Sequence, residues 1–114
     1  MKILYFTRDY TPHDHRFLSG LAQTKHQVAY LRLERRGHTL EDRALPAQIE
    51  QVPWKGGQRP FTYAQVPALL SDLKRVIRQF QPDVIQAGPI QTAAFLAALS
   101  GFPRLVSMSW GYDL

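Results

Sequence analysis

Charged and imidazole side chains crowd into nine residues near the start of the chain, directly after the apolar run Ile3 to Phe6. They are Arg8, Asp9, His13, Asp14, His15 and Arg16. Such groups bind anions and hydrogen-bond to sugar hydroxyls, and a helix that follows them would add free backbone N–H groups. We therefore predict an anion or hydroxyl site here. The alternative is that Asp14 only caps the helix while both histidines face solvent. No third ligand accompanies His13 and His15 at a recognisable spacing, so we predict no metal site.

A second candidate segment is "AGPIQ", residues 87 to 91. Gly88 would let a ligand approach the backbone, Pro89 suits the first turn of a helix, and Gln91 could project its amide into a cleft. The alternative interpretation is an ordinary turn between a strand and a helix.

The third candidate segment is "WGYD", near the end of the sequence. Trp110 offers a flat apolar surface for a sugar ring or a base, Gly111 offers open backbone, and Asp113 can accept hydrogen bonds from hydroxyls. Alternatively, Trp110 belongs to the core and Asp113 caps a helix.

These segments each follow a predicted strand. The apolar and β-branched runs predict strands at 3–6, 27–33, 49–54, 83–88 and 104–110, and helical spacing predicts helices at 13–25, 62–80 and 91–101. This β-α-β-β-α-β-α-β order predicts a three-layer, Rossmann-like α/β fold with a mostly parallel open sheet in the order 3-2-1-4-5. The carboxyl ends of its strands would bring the three segments to one edge.

Composition and missing motifs exclude several classes of function. A length of 114 residues fits one domain, and the absence of cysteine excludes disulfides and thiolate chemistry. Neither G-x-G-x-x-G nor a P-loop motif occurs. The formal charge of +5 favours anionic partners, but the basic residues are scattered, which argues against nucleic acid.

We expect a cytoplasmic protein, because the N-terminal apolar run is too short for a signal peptide. Lys74, Arg75 and Arg78 predict peripheral contact with an acidic membrane surface; the alternative is that they only form a solvated helix face.

Three stretches together resemble the GT-B glycosyltransferases of the family-4 type. The first 31 residues, "MKILYFTRDYTPHDHRFLSGLAQTKHQVAYL", are similar to the opening of that family's acceptor-side domain. "QPDVIQAGP" resembles its "PDVVHAH" strand, and "LVSMSWGYDL" resembles its "VVTVHGxD" strand and loop. The likeness runs from Met1 to Leu114 in the right order.

The resemblance implies that residues 1–114 are part of the N-terminal, acceptor-binding domain of a retaining glycosyltransferase, with the C-terminal donor domain missing. The co-substrate would be a nucleotide sugar, no other cofactor is implied, and the acceptor would be a sugar or a lipid-linked molecule. We expect such a fragment to be inactive alone. Two departures stand out: the first loop has no Gly-Gly pair, so Arg8 or Arg16 would have to contact phosphate, and Trp110 replaces the family's cleft histidine.

Without a cover on its last strand, the fragment is expected to form a homodimer through that strand's edge. The alternative is a self-standing flavodoxin-like binding or interaction module, which would have to protect the edge by itself.

Overall fold

The computed structural model describes residues 1–35, 41 and 43–107. Five strands form one sheet in the order β3-β2-β1-β4-β5, and every pairing is parallel. This confirms the predicted α/β fold and strand order. The strands are β1 (Lys2–Thr7), β2 (Gln27–Arg32), β3 (Glu50–Gln51), β4 (Val84–Gly88) and β5 (Leu105–Ser107). The helices are α1 (Pro12–Ala22), α2 (Val66–Phe80) and α3 (Ala93–Leu99), with a 3-10 turn at Tyr63–Gln65 before α2.

The two faces of the sheet are covered by different helices. Alternate residues of the strands, such as Leu4 and Leu31, pack with α2 and α3 into the larger core cluster. The intervening residues, such as Tyr5 and Tyr30, pack against Leu18 of α1 in a smaller cluster. This alternation follows from the two-residue period of a strand, and it gives the three layers expected of a doubly wound sheet.

The long amphipathic helix is the best-predicted element. Thr62 and Gln65 form the capping box that their spacing indicates, and Leu69, Leu73 and Val76 are buried along one face of α2. Gln81 ends the helix in the left-handed conformation, with φ of 54°.

Several predicted boundaries were wrong. The third strand is only Glu50–Gln51, not 49–54. The Val52 N–H still donates to the Tyr30 carbonyl, but the next acceptor on β2, the Arg32 carbonyl, receives the Trp54 indole N–H and not a backbone N–H. The first helix is Pro12–Ala22 rather than 13–25, since Thr11 caps it one residue earlier. The last helix begins at Ala93, two residues later than predicted. The predicted strand 104–110 is seen as Leu105–Ser107, and its remaining residues after 107 lie outside the described part.

Across the described ranges, no helix is both long enough and apolar enough to span a bilayer.

Candidate functional site

The carboxyl ends of β1 and β4 lie side by side at the point where the strand order reverses, which is where open α/β sheets bind ligands. The backbone N–H of Arg8 donates to the carbonyl of Gly88 at 3.2 Å. On the other side, the N–H of Glu34 donates to the carbonyl of Arg8 at 2.7 Å. The residue after β1 is therefore held between the ends of both neighbouring strands. We call this place the switch-point crevice: Arg8, Asp9, Arg32, Glu34 and Gly88.

Two ion pairs connect the loop after β1 to the end of β2, on the side of the crevice away from β4. Arg8 Nε pairs with Glu34 Oε2, and Arg32 Nη2 pairs with Asp9 Oδ1. Both carboxylates are almost completely buried, Asp9 being 4% and Glu34 3% exposed. Burial of charge is costly unless it is paired, so each pair stabilises its loop geometry only as an intact unit.

Asp9 has hydrogen-bonding capacity left over. Its Oδ1 accepts from the backbone N–H of Tyr10 at 2.7 Å as well as from Arg32. Its Oδ2 is buried and has no hydrogen-bond partner within the described residues. A buried polar atom without a partner is uncommon in native proteins, and a ligand hydroxyl is one group that could satisfy it.

Asp14 belongs to the helix cap and not to the crevice. Thr11 is the N-cap of α1, and Asp14 Oδ2 accepts from the Thr11 N–H at 2.9 Å and from its hydroxyl at 2.8 Å. The Tyr5 hydroxyl donates to the other carboxylate oxygen at 2.9 Å. Burial raises the pKa of Asp14, although the hydrogen bonds from Thr11 and Tyr5 oppose that shift. The interpretation of Asp14 as a capping residue is therefore supported.

The two predicted histidines diverge. His15 Nδ1 lies 2.8 Å from the hydroxyl of Tyr10, whose pKa is raised mainly by burial. His13 and Arg16 instead line an open apolar groove of about 430 Å³ along α1, beside Phe17. His13 and His15 therefore lie in different surroundings and do not form one site. Within the part of the chain described, no three His, Asp or Glu side chains are grouped as metal ligands.

The segment after β4 differs from the prediction. Gly88 is buried at the end of the strand and joined to Arg8 by the hydrogen bond described above. Pro89 follows in a cis peptide and lies ahead of α3, so it was wrongly placed in the first turn of the helix. Gln91 is exposed, and its carbonyl accepts from the hydroxyl of Tyr63 at 3.0 Å. Trp110, Gly111 and Asp113 lie outside the described residues.

Sequence reasoning did not identify Arg32 and Glu34 as site residues. Arg32 is the last residue of β2 and Glu34 lies two residues beyond it, so their position after a predicted strand was a usable signal. A pocket of about 350 Å³ next to them was also missed. It lies between the end of β2 and the segment after β3.

The model of a family described as glycosyl transferase 4-like matches residues 2–114, which is nearly the whole chain. No curated protein matched the sequence.

Proposed function

Because the chain belongs to the glycosyl transferase 4-like family, we propose that it forms the acceptor-binding half of a retaining GT-B glycosyltransferase that uses a nucleotide sugar. In this proposal the nucleotide sugar is bound mainly by a second, donor-binding domain. The described residues then provide one wall of the cleft and transfer no sugar by themselves.

The observation that carries this proposal is the unpartnered, buried Oδ2 of Asp9 at the switch-point crevice. A sugar hydroxyl donates readily to a carboxylate, and a charge-assisted hydrogen bond of that kind is both short and directional. Arg8, whose side chain is 36% exposed, lies next to it and can donate to a second oxygen of the acceptor. The crevice therefore has the donor and acceptor groups needed to orient a hydroxyl-bearing molecule.

Orientation is the main chemical contribution such a domain can make. Holding the acceptor hydroxyl next to the reacting carbon of the donor sugar lowers the entropic part of the activation barrier. The leaving diphosphate must also be stabilised by positive charge, for which Arg8 and Arg16 remain candidates on this side of the cleft. Arg16 faces the groove along α1, so Arg8 is the better placed of the two.

The segment Trp110 to Asp113 is proposed as a further part of the same cleft, by its resemblance to the family's loop after the fifth strand. In a complete enzyme, Trp110→Ala and Asp113→Ala should each reduce kcat/KM strongly while the far-UV circular dichroism stays unchanged. Full activity in both variants would remove this segment from the cleft.

We also propose peripheral contact with an acidic membrane at the cytoplasmic face, through α2. Lys74 and Arg78 are exposed on this helix, and Arg75 lies between them, paired with Asp72 at 2.6 Å. Because surface attraction of this kind is screened by salt, co-sedimentation with vesicles should require acidic lipid and fall as salt rises. Binding that is independent of both would contradict the proposal.

The principal test measures acceptor binding and turnover separately. Amide shifts in two-dimensional NMR during titration with a panel of glycosides should map to Tyr10 and Gly88, and Asp9→Asn should abolish them. The matched control is Asp83→Asn, which makes the same chemical change on an exposed residue at the opposite edge of the sheet.

Nucleoside diphosphate release from nucleotide sugars should stay at background for the 114-residue chain. Turnover by this chain alone would refute the division of roles between two domains. Glycoside shifts that survive Asp9→Asn would refute the crevice as the acceptor site. No glycoside binding at all, in a folded monomer, would favour the self-standing flavodoxin-like module.

A further inference from the structure

The 350 Å³ pocket lies on the β2 side of the crevice, between the end of β2 and the turn Lys55–Arg59. Its lining includes Arg32 and Arg35 at the end of β2, Trp54 after β3, and Gly56 and Gly57 of the turn. Arg32 also pairs with Asp9, so this pocket and the switch-point crevice share a side chain. We call it the turn pocket.

Hydrogen bonds fix the turn against the end of β2. The Trp54 indole N–H donates to the Arg32 carbonyl at 2.7 Å, and the Gly57 N–H donates to the Leu33 carbonyl at 2.8 Å. Further along, the Arg35 N–H donates to the Arg59 carbonyl at 3.3 Å. The walls of the turn pocket are therefore held together in the unliganded chain, which lowers the entropy cost of binding.

Two glycines are required for this close approach. Gly57 has φ of +85°, and a Cβ there would lie 2.7 Å from the carbonyl oxygen of Arg32. A Cβ on Gly56 would lie 2.5 Å from the Trp54 ring. The two glycines therefore let the turn pack directly against the end of β2 and the Trp54 ring, which brings the turn next to Arg32 and Arg35.

The charge around the turn is positive and largely uncompensated. Arg35, Lys55 and Arg59 form no side-chain ion pair within the described part of the chain. The neighbouring carboxylates are already occupied: Asp9 by Arg32, Glu34 by Arg8, and Asp72 by Arg75. Arg35 and Arg59 therefore have no ion-pair partner among the described residues, while the pKa of Asp72, lowered mainly by Arg75, is lowered further by the nearby Lys55. Cations beside such a concave site attract anionic ligands.

We propose that the turn pocket binds a phosphate group, and hence that the acceptor of this transferase is a phosphorylated molecule. The second half of this inference rests on the function proposed above, whereas the first half does not. Guanidinium groups recognise phosphate by two parallel hydrogen bonds, which Arg35 can supply, while Lys55 and Arg59 add charge from the other side of the turn. Arg32 would connect the bound phosphate to the crevice, where the acceptor hydroxyl is held.

The test uses the full 114-residue chain and inorganic phosphate, at constant ionic strength. Phosphate should shift the amide resonances of Gly56, Gly57 and Gln58, and Arg35→Gln should weaken its binding about tenfold, the loss expected for a charge-assisted hydrogen bond. Lys25→Gln is the matched control, because it removes one positive charge from an exposed turn before β2, at the opposite edge of the sheet. That variant should bind phosphate like the parent.

A second arm distinguishes a soluble phosphate from a lipid headgroup. Vesicles of phosphatidylcholine with and without phosphatidic acid are compared by co-sedimentation for the same variants. Loss of inorganic phosphate binding in Arg35→Gln with unchanged vesicle binding supports a soluble phosphorylated acceptor, and loss of both supports a lipid-linked one. The absence of shifts in the turn, or equal effects of Arg35→Gln and Lys25→Gln, overturns the proposal.

Failure of this inference is distinguishable from failure of the proposed function. Phosphate binding without any glycoside binding at the crevice would contradict the acceptor role and leave the turn pocket as an anion site. Glycoside binding without phosphate binding would support the acceptor role and overturn the phosphate site in the turn pocket.

Discussion

The ion pair between Asp9 and Arg32 allows stability and function to be separated by mutation. The Asp9 carboxylate is 4% exposed and the Arg32 side chain is 12% exposed, so either charge, left alone, would be buried without compensation. Removing one partner of such a pair lowers the free energy of unfolding by about 3–5 kcal/mol. We expect a loss in that range for Arg32→Met. For Asp9→Asn we expect a loss of about 3 kcal/mol, at the lower end of the range, because the amide oxygen can still accept from Tyr10 and Arg32.

The double variant Asp9→Asn with Arg32→Met should be destabilised by about as much as Arg32→Met alone, and not by the sum of the two losses, because no buried charge remains. The expected coupling energy in the double-mutant cycle is about 2–3 kcal/mol. Urea unfolding at neutral pH, followed by circular dichroism, gives the four free energies of unfolding. Fluorescence adds a local readout, since the Trp54 indole bonds to the Arg32 carbonyl.

Acceptor binding should not recover in the double variant, because the carboxylate that would hold the hydroxyl is gone. Stability losses that do not add, together with glycoside binding that stays absent, are therefore the expected pattern. A coupling energy under about 0.5 kcal/mol would show that the two charges do not depend on each other, and would refute the reasoning from burial. Glycoside binding by the double variant would instead refute the role of Asp9.

Three further predictions concern the cap, acid stability and assembly. Thr11→Ala should destabilise the fold by about 1 kcal/mol through loss of the α1 capping box, whereas Ser71→Ala on the exposed face of α2 should not, as measured by urea unfolding. Hydrogen bonds from Arg75 hold the pKa of Asp72 below its ordinary value of 3.8, so the stability they provide is present above that pH and lost as the pH falls through the lower value. Asp72→Asn should therefore flatten the acid limb of the stability curve, and an unchanged limb would contradict this assignment. Finally, β5 pairs only with β4 among the described strands, and Val106 is 47% exposed, so light scattering should show a dimer that is abolished by a proline within β5. A monomer at high concentration would refute it.

The elements that sequence predicted well are those specified by local signals. The capping box at Thr62 and the apolar face of α2 depend on neighbours three or four residues away, so composition and spacing were sufficient. The strand order followed from alternation of strand and helix together with the handedness of the crossovers. Even the convergence of Arg8 and Gly88 follows from strand ends meeting at one edge of the sheet.

The contacts that define the crevice are nonlocal and were not predictable in this way. Asp9 and Arg32 are 23 residues apart, and their pairing depends on the register between β1 and β2. The turn pocket depends on the bond from the Trp54 indole N–H to the Arg32 carbonyl, which joins residues 22 positions apart. Pattern reasoning identifies where charged side chains gather, but it does not decide which of them neutralise each other and which remain available to a ligand.

The crossed ion pairs also constrain how this domain can evolve. Arg8 with Glu34, and Asp9 with Arg32, are two bonds between the same two chain segments. Loss of Arg8 or Arg32 would leave a buried carboxylate without its cation, so changes at either arginine are disfavoured until the carboxylate changes as well. We therefore expect these positions to be inherited as two units among related sequences. Acceptor specificity would then change first at exposed positions such as Arg35, because its side chain can be replaced without leaving a buried charge unpaired.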